Sequence, residues 1–458
     1  MSPAANPARW QRWLCALVLL LGLGAVYGAT ATTDDSASLD TWTAGLSAWR
    51  IATTGDPAVA EDDVARIRAD LRPIWLTEDE RGEVVVARAA GPVAAALPAY
   101  LLADPVAMTV IPAALTAAVL TALAMMLLWG ALSTLLRMRE ATVAVLAVAL
   151  TTPVWSVAAD ALWPHTITLV GIGGMAWAAR RERWWLVGLF GGVAVWGRLH
   201  AAVIVAVLGL GLALRRREPA IAVAAGLPAL TALAALCFWN RWVFGSWSPA
   251  AAYEASDFTA YAGHHLVDPV NHLGFLVAPD RGLLVWTPAI ALLLPALVRS
   301  WRTIPDVFRW LLLGGAAYTL TQTLLNRFSG GDTFYGYRIG LELVACSAPA
   351  LALSARRVGR WARRLLAPVL GCQALAIGVG AAASGLYLDH GQIWTNNAFA
   401  VVVAHQPMLM TAALALAAGI AELARRLWFV PTAPATPDER SASGPVQCRE
   451  NALLIERD

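Results

Sequence analysis

MTVIPAALTAAVLTALAMMLLWGALSTL, residues 108–135, with Arg137 and Arg139 just behind it, is the stretch that decides the fold. It carries no charged side chain. As an α-helix rising 1.5 Å per residue it reaches about 42 Å, more than the roughly 30 Å hydrocarbon core of a bilayer. Backbone N–H and C=O groups find no water at that depth, so such a segment crosses as a helix. Comparable runs recur along the chain at 13–32, 141–158, 164–179, 184–197, 199–214, 219–239, 283–298, 310–325, 339–355, 365–387 and 407–424. Of the 458 residues, 58% are hydrophobic and 14% charged, with a mean hydropathy of +0.59, which excludes a water-soluble globular protein of this size. The expected fold is an all-α, polytopic membrane protein of about twelve transmembrane helices.

Arginine orients the chain. All 34 basic residues are Arg, and the net charge is only +3, so the positive charge is a topology signal rather than a nucleic-acid surface. Arg9 and Arg12, Arg137 and Arg139, Arg180 to Arg183, Arg215 to Arg217, Arg299 with Arg302 and Arg309, Arg356 to Arg364, and Arg425 with Arg426 fall on one side when there are twelve spans. By the positive-inside rule that side is cytoplasmic, and so are both termini. The reading gives a cytoplasmic N-terminus at 1–12, a transmembrane domain over 13–429 in the plasma membrane, and a disordered Pro-, Ser- and Thr-rich cytoplasmic tail at 430–458. Ala29-Thr30-Ala31 also fits a small-x-small cleavage pattern, the mark of a secretory signal, although retention of the first span is expected. Cys15, Cys237, Cys346, Cys372 and Cys448 have no paired spacing, so neither a disulfide nor a metal cluster is expected.

Translocated loops at 33–107, 240–282, 326–338 and 388–406 hold most of the acidic residues and five of the seven His. In the first, Leu39, Trp42, Leu46 and Trp49 recur at helical spacing, which predicts an amphipathic interfacial helix over Asp40 to Thr53. Pro73 to Thr77 and Glu83 to Ala87 around Gly82 predict a small β-hairpin, and Pro92 to Leu102 a re-entrant or interfacial helix.

Asp34-Asp35, at the outer end of the first span, is an acidic pair suited to taking a proton from an alcohol or holding a divalent cation. NRFSGGDTFYGYR, residues 326–338, gathers Arg327, Asp332, Tyr335, Tyr337 and Arg338 around three glycines. Glycines admit a ligand close to the backbone, and guanidiniums clamp phosphate oxygens. Arg281, in Pro279-Asp280-Arg281-Gly282, either faces a lipid phosphate or pairs with Asp280. His165 between two spans, and Arg198 with His200 at the fifth turn, are ionisable groups at depths where they must pair or line a cavity. His264, His265 and His272 lack the spacing of a zinc set.

Four elements in this order resemble the GT-C superfamily of integral-membrane glycosyltransferases, in particular actinobacterial members with an RgtA/B/C/D-like core. They are Asp34-Asp35 with the amphipathic helix after it, Leu-Trp-Pro-His-Thr at 162–166, the Phe-Gly-Ser loop leading to APDRGLLVWTP at 278–288, and SGGDTFYGYR at 329–338. The resemblance implies an inverting enzyme that moves a sugar from a polyprenyl-phosphate donor to an extracytoplasmic glycan or lipid acceptor. Asp34 or Asp35 would then be the general base, and Arg338, Arg327 or Arg281 would steady the phosphate leaving group. It implies no cofactor, with the acidic pair as the one place where Mg²⁺ would sit. A lipid or glycolipid transporter would use the same arginines without needing the carboxylate. A non-catalytic scaffold of envelope synthesis would need none of these groups.

Overall fold

The structure, a computed structural model, describes residues 9–34, 38–254, 268–331, 333–383, 388 and 390–428. Asp35, His264, His265, Asp332 and the tail from 430 lie outside the described residues.

The helices in chain order are α1 (Arg9–Thr30), α2 (Leu39–Thr54), then after the hairpin β1 (Leu76–Glu78) and β2 (Val84–Val86), α3 (Ala90–Ala103), α4 (Ile111–Leu132), α5 (Met138–Thr151), α6 (Pro164–Ala179), α7 (Trp184–Gly197), α8 (Ala202–Arg216) and α9 (Pro219–Phe244). They continue as α10 (Pro269–Val277), α11 (Ala289–Ser300), α12 (Asp306–Leu325), α13 (Leu341–Ser354), α14 (Arg360–Ala382), α15 (Ala398–His405) and α16 (Met408–Trp428). Every expected span contains a helix. Six stretches are long and apolar enough to cross a bilayer: Trp10–Thr30, Ile111–Leu132, Leu199–Arg216, Pro219–Phe244, Arg360–Ala382 and Met408–Arg426.

Two expected spans are broken where proline removes an N–H and pushes the preceding residue out of helical geometry. The span at 141–158 stops at Thr151. Thr152 is extended (φ −134°, ψ 162°), and after Pro153 the chain resumes as a π-helix over Val154–Ala159. The span at 283–298 is interrupted at Thr287-Pro288 between one helical turn, Leu283–Trp286, and α11. Between α7 and α8, Arg198 is likewise extended (φ −148°, ψ 121°) before a 3-10 turn over Leu199–Ala201.

The first loop folds on its own small core of Trp42, Leu46, Val59, Val64, Ile67, Leu76 and Val86. The hairpin pairs Leu76 with Val86, Thr77 with Val85 and Glu78 with Val84. Gly82 (φ 77°) closes its turn, where Asp79 accepts the Gly82 N–H. The apolar face of α2, expected to rest on lipid, is instead buried in protein. Trp42 and Leu46 enter the loop core, while Ala44 and Ala48 pack with Val93, Ala96 and Tyr100 of α3. At the opposite end of the bundle the arginine connections are tied together: Arg216 to Glu182 and Asp306 at 2.8 and 2.9 Å, and Arg356 to Glu140.

Candidate functional site

The end of the bundle that carries the first loop gathers the ionisable groups, and the helix breaks deliver them. Gly197 lets α7 touch α6: a Cβ there would lie 2.7 Å from the Pro164 carbonyl oxygen. The extended residue that follows, Arg198, is therefore set beside the start of α6, where His165 is the second residue of the helix. Glu342 is the second residue of α13. The His165 Nδ1 and the Glu342 Oε1 are 2.7 Å apart, and the Thr168 hydroxyl donates to the same oxygen at 2.7 Å. Both His165 and Glu342 have no solvent exposure. Arg198 donates to the Tyr318 hydroxyl, Tyr318 stacks on His200 at 4.8 Å, and Gln322 bonds both His200 and Tyr318.

Four residues before Glu342, Arg338 donates from Nη1 to Asp40 Oδ2 at 2.8 Å. Its guanidinium lies over the rings of Trp163 (4.6 Å) and Phe334 (5.2 Å). The other Asp40 oxygen accepts from Arg88 Nη2 and from Trp75 Nε1, each at 2.9 Å. Asp40 caps the network from the first turn of α2, which Ser38 starts by accepting the Asp40 N–H. Burial alone would raise the Asp40 carboxyl, but Arg88, Arg338 and Arg198 outweigh it and hold it below the usual carboxylate range. Among the described residues, Arg88 Nε, Arg338 Nε, His165 Nε2 and Glu342 Oε2 are buried without hydrogen-bond partners. Four unsatisfied buried atoms in one cluster are unusual in a closed structural network.

Asp34 is exposed and lines a cavity of about 230 Å³ together with Thr33, Trp42, Met108, Thr109 and Val110. Asp160, just beyond the π-helix, fixes the chain beside it. It accepts the Thr32 N–H at 3.1 Å on Oδ1 and the Thr32 hydroxyl at 2.8 Å on Oδ2. Burial, with the nearby charge of Asp34, pushes the Asp160 carboxyl up to about 7 against those hydrogen bonds. No group of three His, Cys, Asp or Glu converges as a metal site among the described residues.

The other candidates are placed differently. Arg281 pairs with Asp280 (Nε–Oδ2 3.2 Å), donates from Nη1 to the carbonyls of Phe334 (2.7 Å) and Gly336 (2.9 Å), and is fully buried. Asp280 also accepts the Ala398 N–H at 2.7 Å. The pair therefore braces three loops, the second of the two alternatives the sequence leaves open. Gly336 (φ 90°) is needed in that brace, since a Cβ would come within 2.8 Å of Pro153. The Tyr335 hydroxyl donates to the Ala376 carbonyl at 3.0 Å, and Tyr337 meets the Thr287 hydroxyl at 3.4 Å, so both anchor the loop. Arg327 is exposed.

No protein-family model matches the sequence, and no curated protein matches it. Among solved structures, ArnT from Cupriavidus metallidurans bound to undecaprenyl phosphate superposes with a TM-score of 0.55 at 14% identity, over 90% of this chain and 73% of its own. The chain shares the ArnT fold. At that identity the likeness to ArnT concerns the path of the chain, and the side chains described above stand on their own geometry. Three of them, Asp40, Arg88 and Glu342, are not singled out as site residues by the sequence. Glu342 carries a signal, a carboxylate inside an apolar span. Asp40 and Arg88 carry none, because their link to Arg338 forms only in the fold.

Proposed function

We propose that this chain is a GT-C-type membrane glycosyltransferase that moves a sugar, with inversion, from a polyprenyl-phosphate donor to a cell-envelope acceptor on the extracytoplasmic side. The observation that carries the reading is the cluster of three guanidiniums, Arg88, Arg198 and Arg338, around two carboxylates, Asp40 and Glu342, with buried Nε atoms left unpartnered on two of the three. Such a cluster favours a ligand that brings one negative charge and hydrogen-bond acceptors, as a phosphodiester does. The shared ArnT fold supports a lipid-linked donor, and the arginine clusters at the opposite end support an outward-facing site.

On this reading Asp34 takes the proton of the acceptor hydroxyl as its oxygen attacks the anomeric carbon, and the Thr32–Asp160 hydrogen bonds keep that carboxylate's backbone in place. The bond from the anomeric carbon to the phosphate oxygen breaks, and its electron pair stays on the phosphate. Arg338 and Arg88 offset the charge that develops, so the leaving group needs no proton. Asp35, adjacent in sequence, is the alternative base.

The test is sugar transfer from radiolabelled polyprenyl-phosphate sugars, arabinose and mannose included, by membranes holding the wild type, Asp34→Asn, and the Asp34→Asn, Asp35→Asn double variant. Label in a glycan from wild type, lost in the double variant with donor binding retained, is the expected result. A wild type that binds donor yet transfers nothing to any envelope acceptor would leave the transporter reading standing instead.

A further inference from the structure

Glu342 has no evident structural need for its charge. It sits fully buried in an apolar helix, where a carboxylate is disfavoured, and it touches only His165 and Thr168 through one oxygen, leaving Oε2 without a partner among the described residues. An amide would satisfy the Thr168 hydroxyl equally well. What the carboxylate adds is one negative charge, four residues from Arg338 and within electrostatic reach of Arg198. Three guanidiniums, Arg88, Arg198 and Arg338, then face two carboxylates, Asp40 and Glu342, and the buried Asp280–Arg281 pair beside them is balanced.

We infer that Glu342 is a specificity-determining residue that tunes the site to a singly charged phosphodiester headgroup and against a doubly charged phosphate monoester or diphosphate. The inference rests on the reading that the site holds a lipid-linked phosphate. Its functional consequence follows from the charge change in the reaction. A sugar joined to a lipid phosphate is a phosphodiester carrying one charge. When the bond to the sugar breaks, the electron pair stays on the phosphate, the acceptor's proton leaves with the base, and the spent carrier becomes a monoester with a second pKa near about 6, hence close to two charges at pH 8. With Glu342 in place the site holds the loaded carrier and releases the spent one more readily than it would without that charge.

The experiment measures dissociation constants at pH 8 for two probes of the same prenyl length, polyprenyl phosphate and a glycosyl polyprenyl phosphate, on the full chain in lipid nanodiscs. Wild type favours the diester. Glu342→Gln removes one negative charge at constant shape, so the ratio of the two constants moves toward the monoester by about tenfold or more. Asp40→Asn removes the other carboxylate from an outer, partly exposed position and moves the ratio the same way, which keeps the test alive where Glu342→Gln fails to fold. A ratio within about twofold of wild type in a variant that binds both probes overturns the inference and leaves the glycosyltransferase reading intact. Equal weakening of both probes overturns it too, since that is what a packing defect produces. If wild type binds neither probe, the lipid-phosphate reading itself falls.

Discussion

Replacing Arg338 with glutamine separates the proposed phosphate-holding role from the structural one. In the free protein the substitution removes the 2.8 Å bond to Asp40 and the stacking on Trp163 and Phe334, but Asp40 keeps Arg88 and Trp75 at 2.9 Å. The carboxylate is not stranded, so the fold loses about 1–3 kcal/mol rather than the ~3–5 kcal/mol of an orphaned buried charge. In the bound state a guanidinium fork gives a phosphate two charge-assisted bonds, each about 1.5–3 kcal/mol. Their loss weakens binding by roughly 3–6 kcal/mol, about 10²- to 10⁴-fold in Kd. Arg338→Lys falls between, keeping the charge and losing the fork. The assay is titration of a fluorescent polyprenyl phosphate into nanodiscs holding wild type or variant, with thermal unfolding measured in parallel. A Kd for Arg338→Gln within about threefold of wild type, in a folded variant, would refute the phosphate assignment.

Asp160 gives a pH signature. Its carboxyl sits at about 7 in the fold against about 3.9 in an unfolded chain, so its contribution is intact below pH 4 and lost as pH rises through 7, about 4 kcal/mol in all. Thermal unfolding across pH 4–8 should show that decline in wild type and a flatter profile in Asp160→Asn. Gly197→Val forces side-chain atoms against the Pro164 carbonyl, which should lower stability by ~1–3 kcal/mol and, by moving Arg198, weaken lipid-phosphate binding in the same sample. Arg281→Met leaves Asp280 buried without its counter-ion and should cost about 3–5 kcal/mol, seen as faster hydrogen exchange at 333–337 and 397–399.

The helices of the expected spans were legible because each needs a run of apolar residues, and the hairpin because Gly82 lies between two runs rich in β-formers, whereas the short helices α10 and α15 lie in segments that read as loops. The breaks at Pro153 and Pro288 lie inside apolar runs, where hydropathy continues across a proline although the helix does not. Arg338 stands out as a guanidinium in a glycine-rich outer loop, and His165 and Arg198 as titratable or charged groups at membrane depth, and the fold brings them to one end. Asp40 meets Arg338 across 298 positions, a distance over which no local pattern carries information. Arg281, Tyr335 and Tyr337 illustrate the converse. Their residue types suit a ligand, but Arg281 and Tyr335 serve equally well to hold backbone carbonyls and Tyr337 to meet the Thr287 hydroxyl, and only the fold distinguishes the two uses.

His165 and Glu342 each occupy the second position of a helix, so the N-terminal ends of α6 and α13 lie beside Arg198 and Arg338. Each such end carries about half a positive charge. Their field adds to that of the arginines and, in the roughly 10 Å over which 0.1 M salt leaves a charge felt, extends past the contacts themselves. On the proposed reading, a lipid headgroup diffusing in the plane of the membrane would thus be turned toward the cluster before it touches a side chain, and dissolved salt would slow its arrival more than it shortened its stay.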